Sequence, residues 1–206
     1  MAKYHFYSLW LAGICILFFL LQLIVPGFTD ALVLNQQALQ GEVWRFITSI
    51  FLHGSLSHLI FNLFALVLFG LILERFTNKF LWIFFISGVI ANLISVFFYP
   101  SSLGASGAIF GIIGALAVMR PMMTVWAFSL PLPMFIAAII WAVTNFLGIF
   151  APSEVGNIAH LSGMLVGLLF GAFLRAGIKE ERVYRHKVDI PEHTIRRWET
   201  LYLERN

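Results

Sequence analysis

Long apolar runs with short polar punctuation make up most of this chain. Six of them read as helices, at about 6–26, 57–74, 80–99, 105–119, 134–150 and 157–176. A helix needs about 20 apolar residues to cross a bilayer, and the fourth and fifth runs fall short of that. Short helices in a bundle end below the membrane surface and leave room for water above them. Pro131 and Pro133 interrupt what would be a longer fifth helix. The stretch 121–132 therefore reads as an interfacial loop, with Pro133 near the first helical turn, where its missing N–H costs little. The connection 27–56 is long and apolar, as in Val43-Trp44-Arg45-Phe46-Ile47, which suits the membrane interface. The run 6–25 is too long for the core of a cleaved leader and has no small-x-small site after it, so it reads as a retained helix.

Composition agrees with this pattern. Of 206 residues, 60% are hydrophobic and 11% are charged, with a mean hydropathy of +0.91. A soluble domain carries about 25% charged residues. Cys15, the single cysteine, lies in the first run, so neither an internal disulfide nor a cysteine metal site is expected.

The positions of the charges suggest an orientation. Lys3, Arg75, Lys79, Arg120 and the cluster from Arg175 onward fall on one side of an alternating topology, and only Arg45 falls on the other. Lys and Arg concentrate in cytoplasmic loops. The expectation is an all-α membrane protein, a six-transmembrane-helix bundle in the cell membrane with both termini cytoplasmic. Residues 1–176 would form the bundle and 177–206 a basic cytoplasmic tail. Orientation accounts for the basic residues, and no nucleic-acid motif is present. The end of the tail, with Ile195, Trp198, Leu201 and Tyr202, fits either a small amphipathic helix on the membrane surface or a solvated segment.

Polar residues inside apolar helices are costly and point to function. In this topology Ser106, His160, His58 and Asn62 fall at similar depth near the outer ends of three helices. Small residues recur every four positions at Ala159, Gly163, Gly167 and Gly171, and again at Gly107, Gly111 and Ala115. Such stripes let helix backbones approach closely, so the helices carrying Ser106 and His160 are the pair built for contact. A serine hydroxyl needs a base, and histidine is the usual one. The start of the fourth helix supplies backbone N–H donors for an oxyanion. His58 and Asn62, at i and i+4, add side-chain donors. Glycines at 104 and 107 let a substrate backbone come near. Asp30, Glu42 and Glu154 lie in outer loops and Glu74 at an inner helix end, so a Ser–His dyad is expected rather than a three-part arrangement. Each feature also has a plain reading: back-bonding for the serine, a structural hydrogen bond for the histidine, packing for the glycines.

Together these residues resemble the rhomboid family of intramembrane serine proteases. Gly104-Ala105-Ser106-Gly107 resembles the family's Gly-x-Ser-Gly motif, and His160 in Ala159-His160-Leu161-Ser162-Gly163 resembles its Ala-His-x-x-Gly pattern. His53, His58 and Asn62 resemble its His-x4-His-x3-Asn signature, and Trp44-Arg45 its Trp-Arg pair. The resemblance covers 1–176 and implies endopeptidase cleavage of transmembrane or membrane-proximal segments of membrane proteins, without metal or cofactor. It implies Ser106 as nucleophile, His160 as base, and His58, Asn62 and the Ser106 N–H as oxyanion donors. Phe61 and Trp141 match the family's substrate-gate positions. Phe110 stands where many members have a tyrosine stacked on the histidine. Ser55, Ser57, His53 and His58 suggest a water-accessible cavity, although His53 fits a purely structural role equally well. The rival reading is a non-proteolytic membrane protein, either a relative of the fold or a small transporter. Relatives without activity typically lack the serine or the histidine, and a metal transporter would want a carboxylate or thiolate beside the histidines.

Overall fold

The computed structural model describes residues 5–127, 129–151, 155–177 and 191–202. Lys3, Glu154 and the tail between 178 and 190, on which parts of the sequence reading rest, lie outside them.

All six apolar runs are helical. They form α1 (Tyr7–Ile24), α4 (Leu56–Glu74), α5 (Phe80–Ser95), α6 (Ser106–Met119), α7 (Met134–Gly148) and α8 (Asn157–Gly177). Among the described residues α1, α4 and α8 are long and apolar enough to cross a membrane, while α5, α6 and α7 are shorter apolar helices. Between α1 and α4 the chain folds into α2 (Phe28–Leu32), β1 (Leu34–Asn35), a 3-10 turn (Gln36–Gln40), α3 (Arg45–Thr48) and a second 3-10 turn (Ser49–Phe51). A short strand β2 (Ser101–Ser102) follows α5 and pairs antiparallel with β1. β3 (Thr124–Ala127) and β4 (Leu130–Pro133) precede α7, and α9 (Glu192–Tyr202) ends the described chain.

Two sequence expectations need correction. The third helix, expected over 80–99, stops at Ser95. There the chain tightens to hydrogen bonds three residues back at Phe97 and Phe98 and then meets Pro100, which disfavours helical geometry before it. The segment 121–132 is not a plain loop but contains the β3–β4 hairpin, with Thr124 opposite Pro133 and Ala127 opposite Leu130. Val125 and Ala127 face inward and Thr124 and Trp126 outward, the two-residue period of a strand. A two-stranded ribbon has free edges on both sides, where prolines without an N–H are tolerated.

α6 is the centre of the molecule. It is apolar all round, and most of its residues are buried, as expected of a helix enclosed by others. α5 and α8 pack on it most extensively, with α4 and α7 completing the ring, while α1 lies against α4. Hydrogen bonds at the ends of the helices define their directions. Glu74, at the end of α4, accepts from the backbone N–H groups of Tyr7 and Ser8 at the start of α1. Gln22, near the end of α1, donates to the His53 carbonyl just before α4. Arg175, late in α8, donates to the Val118 carbonyl late in α6. Hence α4, α6 and α8 start at the same end of the bundle. Arg175 and Arg120 (its guanidinium 4.2 Å above the Phe76 ring) lie at the opposite end. Large apolar side chains such as Trp10, Phe64, Trp82, Phe146 and Phe173 face outward, a surface suited to lipid.

The α6–α8 crossing reduces to backbone contact. A Cβ on Gly163 would overlap the Gly107 carbonyl, and one on Gly167 the Gly111 carbonyl. One on Gly171 would lie 2.7 Å from the Ala115 carbonyl oxygen. The two small-residue stripes thus pair rung by rung and fix the register of the helices that carry Ser106 and His160.

α9 is helical, with Ile195, Trp198, Leu201 and Tyr202 at helical spacing and all exposed.

Candidate active site

Ser106 is the first residue of α6. Its position follows from Gly104, whose φ of +117° breaks the chain direction just before the helix. A Cβ at Gly104 would lie 2.8 Å from His58 Nε2 and 3.5 Å from Asn62 Nδ2. Only glycine suits both the backbone angle and the space. The Gly104 N–H donates to the Ser49 carbonyl at 2.9 Å, tying the turn to the connection before α4. Among the described residues no side chain caps the start of α6, which leaves its first N–H groups available to a ligand.

His160 lies in the first turn of α8, and its Nε2 is 2.7 Å from Ser106 Oγ. The Phe110 ring, one turn into α6 from Ser106, stacks on the imidazole at 4.4 Å between centroids and 5° between planes. On the other side of the ring, Nδ1 is 2.7 Å from Oδ1 of Asn145 in α7. The sequence reading missed Asn145 because it sought an acidic partner. The signal was a carboxamide one turn beyond Trp141 in a helix whose other polar side chain, Thr144, bonds back to the helix's own backbone.

His58 and Asn62 lie one turn apart on α4, and Ser55 caps that helix by accepting from the His58 N–H. Asn62 is buried, and its Nδ2 has no hydrogen-bond partner among the described residues. A buried donor on a cavity wall is available to water or to a ligand that enters the cavity. Ser106, His160, His58, Asn62, Phe61 and Trp141 all line one cavity of about 760 Å³. Phe61 is 74% exposed, whereas Trp141 is half-buried and meets Phe69 edge-on at 5.8 Å.

His53 differs from its companions. It is 1% exposed and lies behind the cavity wall, its ring 5.1 Å from that of His58. Its Nδ1 donates to the Phe51 carbonyl, and its backbone N–H to Gln22 Oε1. Burial pulls its pKa from 6.5 down to about 4, the neighbouring His58 adding to the shift and the Phe51 carbonyl opposing it. Ser55, Ser57 and His58 line the cavity, but His53 braces it from behind.

Arg45, the basic residue apart from the others, is buried. Its guanidinium pairs with Glu42 and donates to the carbonyls of Asp30 and Val33 and to Gln37 Oε1. Trp44 donates from its indole to the Ala31 carbonyl. The Trp44-Arg45 pair therefore holds together the connection that packs beside the site. Ser49 donates to the Arg45 carbonyl, and Asn92 of α5 donates to Ser49 Oγ and the Phe46 carbonyl, which joins this connection to the bundle.

Comparison with known proteins agrees with this architecture. A family model described as the Rhomboid domain matches residues 40–177. The rhomboid protease GlpG of Haemophilus influenzae is 29% identical over 172 residues, covering 80% of this chain and 88% of that protein. The rhomboid protease GluP of Bacillus subtilis is 35% identical over 186 residues, 84% of this chain but 35% of GluP. RHOMBOID-like protein 6, mitochondrial, of Arabidopsis thaliana is 31% identical over 144 residues, 68% of this chain and 46% of that protein. This chain belongs to the rhomboid family of membrane proteases.

Proposed function

We propose that the chain is an intramembrane serine endopeptidase that cleaves transmembrane or membrane-proximal segments of membrane proteins, with Ser106 as nucleophile and His160 as general base. The observation that carries this reading is the 2.7 Å contact between Ser106 Oγ and His160 Nε2 on the wall of the cavity. As Oγ attacks the scissile carbonyl, His160 Nε2 takes its proton. The carbonyl oxygen becomes an oxyanion, held by the Ser106 N–H, Asn62 Nδ2 and His58. His160 then passes the proton to the leaving amine, and the peptide bond breaks to leave an acyl-enzyme. Water attacks that ester with His160 again as base, which frees the new carboxylate and restores Ser106. Phe110 keeps the imidazole plane aligned through these transfers. Phe61 and Trp141 lie where a substrate segment would enter. No step calls for a metal or cofactor.

The same reading makes the six apolar helices six spans, with the site toward the outer face and both termini cytoplasmic in the cell membrane. The clustering of Arg120 and Arg175 at the end opposite the site supports it. Residues 1–176 then form the catalytic bundle and 177–206 a basic cytoplasmic tail.

Cleavage of a tagged single-span protein in proteoliposomes, in the presence of a strong chelator, tests the mechanism. Wild type should cut, while Ser106→Ala and His160→Ala should each lose about 10³-fold or more. Cleavage that survives Ser106→Ala would overturn the reading.

A further inference from the structure

We propose that Asn145 is the positioning residue of the active site, holding His160 in the one tautomer and orientation that can accept the Ser106 proton. This inference rests on the proposed roles of Ser106 and His160. Neutral imidazole carries its proton on one ring nitrogen only. With that proton on Nε2, the nitrogen facing Ser106 has no lone pair to offer, and the base is disabled. Some other group must therefore keep the proton on Nδ1.

Asn145 meets that need because its own orientation is fixed. Its Nδ2 donates to the Trp141 carbonyl at 2.8 Å, one turn back on α7. This turns Oδ1, which can only accept, toward His160 Nδ1 at 2.7 Å. A flipped amide would set Nδ2 against Nδ1 and oppose two carbonyl-type oxygens at Trp141. The chain of bonds from the Trp141 carbonyl through Asn145 and His160 to Ser106 Oγ is thus internally consistent in one direction only. Asn145 is 7% exposed and lies off the cavity wall, so it touches the base and not the substrate. The Phe110 stack fixes the plane of the imidazole but allows a half-turn about Cβ–Cγ, which returns the ring to the same plane with Nδ1 and Cδ2 exchanged. The Asn145 bond stops that rotation. A carboxamide brings no charge to offset the imidazolium that forms during catalysis, so Asn145 orients the base without the electrostatic assistance a carboxylate gives.

The test compares Asn145→Ala, Asn145→Leu and Asn145→Asp in proteoliposomes against the same tagged substrate, with fluorophosphonate labelling of Ser106 measured in parallel. Among the described residues, the other titratable groups around this cavity are His58 and Tyr99, and all variants keep both. Asn145→Ala and Asn145→Leu should lower kcat by about 10- to 100-fold, part of the ~10²–10⁴-fold that general-base catalysis supplies. KM should stay within about twofold, because the residue does not touch substrate. Asn145→Asp keeps an acceptor for Nδ1 but loses the bond to the Trp141 carbonyl that aims it, so it should recover part of kcat. It should also move the acid limb of kcat/KM to higher pH, since a carboxylate favours the imidazolium. In ¹⁵N spectra of histidine-labelled protein, His160 should show a protonated Nδ1 in wild type and a mixed tautomer in Asn145→Leu. If Asn145→Asp is as impaired as Asn145→Ala with an unmoved acid limb, or if the His160 tautomer is the same in Asn145→Leu, the proposal is overturned. Failure of the underlying mechanism would look different: wild type would not label at Ser106 at all.

Discussion

The α-carbon of Gly163 lies against the carbonyl oxygen of Gly107, and a Cβ on Gly163 would overlap that oxygen. Gly107 follows Ser106, and Gly163 is less than one turn beyond His160. The distance between nucleophile and base is therefore set by a backbone contact beside them. Gly163→Ala has to push α8 away from α6 there, because a carbonyl cannot rotate aside as a side chain does. Overpacking of this kind costs about 1–3 kcal/mol, and a misplacement of ~1 Å costs about 10²-fold in rate. Gly163→Ala should therefore lower kcat by one to two orders of magnitude and lower Tm. Gly13→Ala is the control. Among the described residues nothing lies within 4 Å of a Cβ at that exposed position on α1, and Ala is the better helix former. It should leave activity unchanged and Tm equal or slightly raised. Equal effects of the two substitutions would contradict the argument.

Much of this arrangement was legible because hydrocarbon leaves a chain few options. Apolar runs mark the helices, and the four-residue spacing of Gly163, Gly167 and Gly171 marks the face of closest approach. Ser106 and His160 stand out as polar groups beside that face. Other features depend on contacts that sequence spacing does not encode. Asn145 is a neutral amide, and its meaning comes from the Trp141 carbonyl that orients it. Asn92 looks equally anomalous in an apolar helix, yet it is spent on Phe46 and Ser49 and has a structural task. His53 has the same residue type as His58, but its bond to the Phe51 carbonyl turns it behind the cavity wall. The β3–β4 hairpin escaped notice because its prolines read as breakers, and breakers are also what an edge strand admits.

The buried Arg45 guanidinium holds the connection between α1 and α4 through Glu42, Gln37 and the carbonyls of Asp30 and Val33. Arg45→Ala removes the shared donor of these exposed and half-buried acceptors, and losing its charge-assisted bonds costs about 1.5–3 kcal/mol. Arg45→Lys should recover little, because one ammonium cannot reach partners arranged around a planar fork. Both variants should melt at lower temperature in detergent and be cut sooner by added protease between 27 and 56 than in α8. A lysine variant with wild-type Tm would show that charge alone is required.

His53 gives the fold a dependence on pH. Its folded pKa of about 4 lies below the ordinary 6.5, chiefly because burial opposes the charged ring. Between those values the unfolded chain binds a proton that the folded protein refuses, so stability falls as pH drops. The contribution is fully present above pH 6.5, is lost progressively toward pH 4 and is constant below it. Asparagine tests this directly, because its amide nitrogen stands near the place of Nδ1 and keeps the bond to the Phe51 carbonyl while nothing titrates. The Tm of wild type and of His53→Asn, measured in detergent from pH 7.5 to 4.5, should differ by a fixed amount at the alkaline end. That difference should shift in favour of the variant as pH falls through the window. A difference independent of pH would mean that His53 is protonated as readily in the folded protein as in the unfolded chain, and that its ring lies in water and not behind His58.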